Sequence, residues 1–312
     1  MTSAPVSGRA PAETRTRLAG IAGIGVYRPP AGVPDSERLT GADCLGVSYR
    51  VQAKSGLNTA SLAAGAARAA LKASGIDPAL VELIVAGTTT PDVLWPATAC
   101  LVQAELELPM VGSFDLYAAQ ASLLTAFNVA AKYMRSGAKA ALVIGAEASN
   151  QLVDFPGQSG GRHPRGASAA VLAAGEGGGE ILATVAGGRA TGEAGTGASR
   201  EKAAQGFSDA IGDCLSQAGL SLNEVDLVVA EQTAPALMRG WLRDSGVPAG
   251  SFVLEPERYA DTFAAAPFAV LHDMVKEGRL KEGQVVLMLS YGTGPVWAVA
   301  CLRWGRGGVS EW

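Results

Sequence analysis

The stretch Ser113 to Asn150, SFDLYAAQASLLTAFNVAAKYMRSGAKAALVIGAEASN, decides the fold. Phe114, Asp115, Leu116 and Tyr117 read as a strand. Ala118 and Ala119 lead into a turn carrying Gln120. From Ala121 onward Leu124, Phe127, Val129 and Tyr133 recur at roughly helical spacing, which predicts a helix with Gly137 as its C-cap. Ala141, Leu142, Val143 and Ile144 form a short apolar run, as expected of a strand buried on both faces. A strand that feeds a sharp turn and then a helix is an elbow. It lifts one side chain off the sheet and aims the backbone N–H groups of a helix N-terminus at a bound oxyanion.

Composition sets the bounds around this elbow. The 312 residues allow one large domain or two medium ones, and with 48% hydrophobic and 17% charged residues a sizeable core can be buried. A net charge of −4 argues against broad nucleic-acid binding. There is no zinc-ligand pattern. Cys44, Cys100, Cys214 and Cys301 are far apart and form no C-x-x-C pair. They read as intracellular thiols, so a cytoplasmic protein is expected. The polar, Pro-containing opening lacks an apolar h-region, and no apolar run reaches membrane-spanning length.

Read in order, residues 1–17 are expected to be a disordered tail. Residues 18–186 form an N-terminal half, with strands at Leu18 to Tyr27, Leu83 to Ala86, Ala169 to Ala174 and Ile181 to Val185 around the elbow. A helix capped by Asn58 or Thr59 is expected to end near Gly75. Pro96 opens another through Cys100, Val102 and Leu106. Residues 187–199 are a glycine-rich link. Residues 200–312 repeat the order, with helices at Lys202 to Ala218, Ala234 to Asp244 and Thr262 to Glu277. Their strands fall at Val225 to Ala230, Phe252 to Leu254, Val285 to Ser290 and Val296 to Leu302. Two α/β halves of like order point to a duplicated fold with buried central strands.

The elbow segment resembles the nucleophile segment of β-ketoacyl-acyl-carrier-protein synthase III enzymes, in the thiolase superfamily. Four further segments resemble that family in order and spacing. They are WPATACLVQ (Trp95 to Gln103), HPRGASAAVLAA (His163 to Ala174), DLVVAEQTA (Asp226 to Ala234) and RYADTFAAAP (Arg258 to Pro267). The C-terminal stretch ending in SYGTGPVWAVACLRW also fits. This resemblance implies a thiolase-like five-layer αβαβα fold from two duplicated halves. It also implies dimerisation through the Trp95 to Glu107 region and the strand Ser113 to Tyr117.

The same resemblance marks departures. The family's elbow cysteine falls on Gln120, its histidine on Glu231 and its asparagine on Asp261. A carboxamide is no thioester nucleophile, and an ionised carboxylate donates no hydrogen bond to an enolate. Gln120 either donates its N–H₂ to a thioester carbonyl, as in related loading ketosynthases and chain-length-factor subunits, or fills a retired site. Glu231 and Asp261 either share a pocket, which raises one pKa, or have drifted into solvent or pair with Arg258 or Arg162. His163 falls where the family lines its acyl pocket, and either supplies an imidazole or is incidental. Trp95 either floors a partner's pocket or packs locally. Gly292, Thr293 and Gly294 should bring a backbone N–H to the oxyanion hole. The family's coenzyme A clamp falls near Gly41 to Val51, where Arg50 is the one candidate, with further family arginines near Gln158 and Ala236. Cys100 and Cys214 read as buried packing, and His272 as a surface residue.

The expected function is therefore a cysteine-less synthase III-like subunit of polyketide or fatty-acid-type biosynthesis. It would shape the acyl pocket of an active homologue. The alternatives are an acyltransferase or malonyl-thioester decarboxylase using Gln120, Glu231, Asp261 and His163, or an acyl-thioester-binding protein. No tightly bound cofactor and no metal are expected. The ligand would be an acyl thioester of phosphopantetheine, carried by acyl carrier protein or coenzyme A. Partners would be a second copy or a cysteine-bearing homologue, and an acyl carrier protein, with no nucleic acid and no membrane.

Overall fold

A computed structural model describes residues 19–28, 58–148, 165–175, 177–188, 197–232, 235–292 and 294–312, with backbone alone at 165, 197–202, 260 and 261. The expected tail, the Gly41 to Val51 segment with Arg50, and Gln158, Arg162, His163 and Thr293 lie outside the described residues.

The first sheet has the order β11-β1-β5-β4-β2-β3. Its strands are β1 (Ala19–Tyr27), β2 (Val81–Gly87), β3 (Gly112–Leu116), β4 (Ala140–Ala148), β5 (Arg165–Ala174) and β11 (Gly308–Glu311). The second has the order β6-β10-β9-β7-β8, built from β6 (Gly179–Gly188), β7 (Leu227–Ala230), β8 (Phe252–Val253), β9 (Val285–Gly292) and β10 (Val296–Trp304). Helices α1 (Thr59–Ser74) and α2 (Thr98–Glu105) cover the outer face of the first sheet, where Leu62, Ala66 and Val102 meet Ile84, Leu142 and Val171. Helices α3 (Ser122–Arg135) and α7 (Ala266–Lys276) lie between the sheets. There Phe127, Phe268 and Leu271 touch Val85 and Val143 on one side and Val286 and Met288 on the other. Helices α4 (Gly197–Ala218) and α5 (Pro235–Asp244) close the far face through Phe207, Ile211 and Trp241. The result is five layers in the order αβαβα, as expected. No helix among the described residues is long and apolar enough to cross a membrane.

Local chemistry explains the element ends. The Asn58 side chain accepts the Ser61 N–H at the start of α1, and Gly75 ends the helix at φ 62°. The Asp92 carboxylate accepts the N–H groups of Thr59 and Ala60, both at 2.8 Å, so it also serves the positive end of α1. All of β4 is buried, which fits its apolar run between two helix layers.

Four expectations are corrected. The strand expected at Ile181 to Val185 exists as β6, but it pairs with β10 and belongs to the second sheet. The helix expected from Thr262 begins later: Ala260–Ala265 is a 3₁₀ segment broken at Phe263 (φ 47°, ψ −118°), and α7 starts at Ala266. Pro267 in the first turn of α7 is the sequence signal for that start. His272 is not on the surface but 1% exposed, because α7 is wrapped by sheets on both sides and has no wet face. Cys214 is buried as expected, whereas Cys100 is half-buried, its thiol 3.7 Å from the Ser113 carbonyl.

Candidate active site

The elbow is held by backbone and by one serine. Ala119 sits at φ 49°, a conformation costly for a residue with a Cβ. The Ser122 hydroxyl accepts the Ala118 N–H at 2.8 Å and donates to the Ala119 carbonyl at 2.6 Å. The Ala121 and Ser122 N–H groups return to Ala118 and Ala119 at 3.0 Å each. These bonds fix the strained turn, and Gln120, half-buried, stands between them. Ahead of the turn, the Asp115 carboxylate accepts the N–H groups of Thr98 (2.6 Å) and Ala99 (2.8 Å), tying the elbow strand to α2.

Two glycines let other strands close on the turn. A Cβ at Gly87 would collide with the Ser122 backbone, and one at Gly292 with the Ala118 carbonyl. Gly292 thus lies directly against the elbow, and Gly294 follows at φ 106°. Thr293 between them is outside the described residues.

Glu231 follows β7 and is buried. The next residue explains how it is held. The Gln232 Nε2 donates to the carbonyls of Ala230 (2.6 Å) and Val253 (3.0 Å), while its Oε1 accepts the Glu255 N–H at 2.8 Å. Asp261 lies in the 3₁₀ segment, and its side chain is not described. That segment is fastened to β5: the Ser168 hydroxyl donates to the Ala265 carbonyl at 2.7 Å, and Gly166 makes room for the Thr262 side chain. The elbow and Glu231 follow the carboxyl ends of β3 and β7, and Gly292 ends β9, parallel to β7. That is where α/β sheets bind ligands. Arg258, a candidate partner for Glu231 or Asp261, meets Asp273, Glu277 and Glu255.

The structure adds residues that sequence reasoning passed over. Glu147, at the end of β4, is fully buried. It accepts the Thr89 N–H at 3.0 Å, the Thr89 hydroxyl at 2.7 Å and the Thr90 hydroxyl at 2.9 Å. Burial pushes its pKa up to about 7 against the pull of those donors. A carboxylate ending an apolar run was the available signal.

A second cluster surrounds Asp273. It is bonded by His272 Nδ1 (2.9 Å), the Tyr259 hydroxyl (2.7 Å), Arg28 (2.9 Å) and Arg258. Burial favours the neutral acid, but these donors and the Arg28 charge hold Asp273 well below the usual carboxylate range. His272, Asp273 and Glu311 approach metal-ligand spacing, yet the two guanidinium groups on Asp273 oppose a cation there. An open cleft of about 620 Å³, lined by Gly177, Gly179, Glu282, Arg303 and Trp304, lies at the opposite end of β9 from the elbow.

Comparison with known proteins decides the family. The profile described as 3-oxoacyl-[acyl-carrier-protein (ACP)] synthase III matches residues 114–189, and that of its C-terminal part matches residues 215–304. The β-ketoacyl-[acyl-carrier-protein] synthase III of Rhizorhabdus wittichii is 32% identical over 319 residues, covering 92% of this chain and 100% of that protein. The chain belongs to the synthase III family. The synthase III of Aquifex aeolicus is 32% identical over 257 residues, covering 78% of this chain and 83% of that protein. The crystal structure from the same organism superposes with a TM-score of 0.81 at 29% identity, covering 92% of this chain and 100% of that one. OleA of Xanthomonas campestris, solved with lauric acid and lauroyl-CoA, superposes at a TM-score of 0.81 with 18% identity, over 93% of this chain and 100% of that one. At that identity it speaks for the shared fold alone. The two synthase III matches take in the elbow, Glu231, Asp261 and Gly292, whereas Trp95 lies ahead of both.

Proposed function

We propose that this chain is a synthase III-like protein of fatty-acid or polyketide-type biosynthesis. It handles acyl thioesters of phosphopantetheine without forming an acyl-enzyme, and shapes the acyl pocket of a cysteine-bearing ketosynthase partner. The observation that carries this reading is the elbow itself. Gln120 occupies the turn, and the neighbouring Ser122 hydroxyl is committed to backbone bonds that hold it. Neither offers a free nucleophile. Cys100 sits on the outer helix α2, away from the turn.

A partner has a surface to meet. β3 is the edge of its sheet, and beside it Leu94 (78% exposed), Trp95 (74%), Met110 and Tyr117 (71%) present apolar surface. Unpaired edges and contiguous exposed apolar groups favour association. For a carrier protein, α5 exposes Arg239 one turn beyond Ala236.

The alternative is an acyltransferase or decarboxylase with Gln120 as donor. Burial of Glu231 at the carboxyl end of β7 favours it, since polar groups shielded from water act more strongly on a bound ligand. Incubation with acyl thioesters followed by intact-mass measurement should show no stoichiometric adduct. A single acyl addition on any residue would overturn the non-covalent reading. Purification of the chain with a cysteine-bearing homologue supports the partner role; activity of the isolated chain supports the alternative.

Two substitutions extend the test. Gln120→Cys alone should not restore condensation, because Glu231 and Asp261 supply neither imidazole nor carboxamide, and their charge disfavours a thiolate. Condensation by that single variant would show that they do not obstruct. Trp95→Ala should weaken the dimer by about 2–4 kcal/mol, as expected for a buried interface tryptophan. It should also shift the product toward longer acyl chains by leaving a void. Unchanged dimer affinity and product length would remove Trp95 from the interface.

A further inference from the structure

Glu147 is a fully buried acid near the end of β4, and nothing so far uses it. Its position follows from the register. On β4, Val143 and Gly145 face the central layer: a Cβ at Gly145 would meet the Leu123 side chain at 3.1 Å and Ala265 Cα at 3.0 Å. Two residues further, Glu147 faces the same way. Its partner across β5 is Gly166, above which lies the Thr262 side chain, next to Asp261. On its other side stands Thr89, two residues after Gly87, which packs on the first turn of α3. The carboxyl therefore lies between the first turn of α3, which follows Gln120, and the 3₁₀ segment that carries Asp261.

Its partners are unusual for a buried acid. Every described bond to Glu147 comes from neutral groups, the Thr89 N–H and the hydroxyls of Thr89 and Thr90, and no described residue places a cation on it. The hydroxyls are themselves held in place. The Thr90 oxygen accepts the Ala148 N–H at 2.9 Å, and Thr59 donates to the Thr90 carbonyl. Of the other ionisable residues around it, Asp92 is engaged with the α1 N-terminus, Asp261 lies in the 3₁₀ segment, and the first turn of α3 carries none.

We propose that Glu147 is the proton store of the candidate site, exchanging one proton with the pocket through the Thr89 hydroxyl. This rests on the acyl-thioester reading above. In one state the carboxylate accepts the Thr89 O–H. In the other, Glu147 carries the proton and donates it to Thr89 Oγ1, which turns its own O–H toward the pocket. On release the Glu147 O–H bond breaks as a new one forms at Thr89 Oγ1, and the former Thr89 O–H passes its proton to a solvent water. The threonine stays neutral, and the −1 left on Glu147 is matched by +1 on the water that takes the proton; uptake runs the same steps in reverse. The chain thereby keeps a group that titrates near neutrality although Glu231 stands where the family has its histidine. Glu147 acts through Thr89 and is a positioning residue in this scheme.

The test uses the full chain as wild type, Glu147→Gln and Thr89→Val, with hexanoyl-coenzyme A as the probe. Infrared titration should show a protonated carboxyl band that disappears with a midpoint of about 7 and is missing in E147Q. Probe affinity in the wild type should change about three- to tenfold across that midpoint, in E147Q not at all. Thr89→Val should keep the band but lose the coupling to binding. A band that never titrates, or pH-dependent binding that persists in E147Q, would overturn the proposal. A titrating band with flat wild-type affinity would reduce Glu147 to a structural acid, and coupling that survives in Thr89→Val would overturn the relay. If the probe binds no variant at any pH, the acyl-thioester reading fails and the coupling with it, while the band still reports the titration itself.

Discussion

Asp273→Ala should cost about 3–5 kcal/mol of unfolding free energy, the loss expected when one member of a buried ionic cluster is removed. The carboxylate is 1% exposed and gathers four partners from three separate elements. Arg28 comes from the end of β1, Arg258 and Tyr259 from α6 (Pro256–Tyr259), and His272 from α7 itself. The guanidiniums keep a route to water, since their side chains are 31% and 41% exposed. The loss therefore falls mainly on the Tyr259 hydroxyl and His272 Nδ1, which are left buried without an acceptor. Urea unfolding monitored by tryptophan fluorescence would measure it. A loss under about 1 kcal/mol would mean that the cluster re-pairs, with Arg28 taken by Glu311 and Arg258 by Glu277. The pH sign follows from the lowered pKa of Asp273. Its contribution is present above the ordinary aspartate pKa and is lost only in strong acid.

Glu147 should show the opposite sign. Its folded pKa of about 7 lies above the ordinary value of 4.5, so the native state binds more protons than the unfolded chain in that window. Stability must fall as pH rises from about 4.5 through about 7, and stay lower above it. The separation corresponds to a change on the order of 3 kcal/mol. Subtracting the pH–stability curve of Glu147→Gln from that of the wild type isolates this contribution from all other groups. The difference curve should slope downward through neutrality. A flat curve would mean that the carboxyl reaches water or a cation in the folded state.

The elbow, the capped helix before Gly75 and the strands of both sheets apart from β11 were legible because each rests on local chemistry. A polar cap, a glycine that can take positive φ, or an unbroken apolar run is visible in a few residues. His272 was misjudged because an amphipathic pattern assumes one wet face, and a helix between two sheets has none. β6 was counted with the strands of the N-terminal half although it pairs with β10, because chain order does not say with which neighbour an edge strand pairs. β11 went unseen because GVSE has neither alternation nor an apolar run. At the site, Gln120 and Gly292 were singled out through the family resemblance, and Gly292 lies against the elbow turn. Glu147 was not, because its importance comes from Thr89 and Thr90, 58 and 57 residues away in sequence.

Each sheet borrows a strand across the link. β6 leaves the first half to pair with β10, and β11 returns from the second half to lie parallel to β1, where the Trp312 N–H reaches the Val26 carbonyl at 3.1 Å. A protease cut within 189–196 would therefore leave two fragments that hold each other as a non-covalent complex. Expressed separately, the fragment ending at 188 would carry β6 as an unsatisfied sticky edge. Its complement would lack the strand that covers β10. Co-expression should rescue both, so the molecule could serve as a split reporter whose reassembly also returns Gly292 to its place against the elbow.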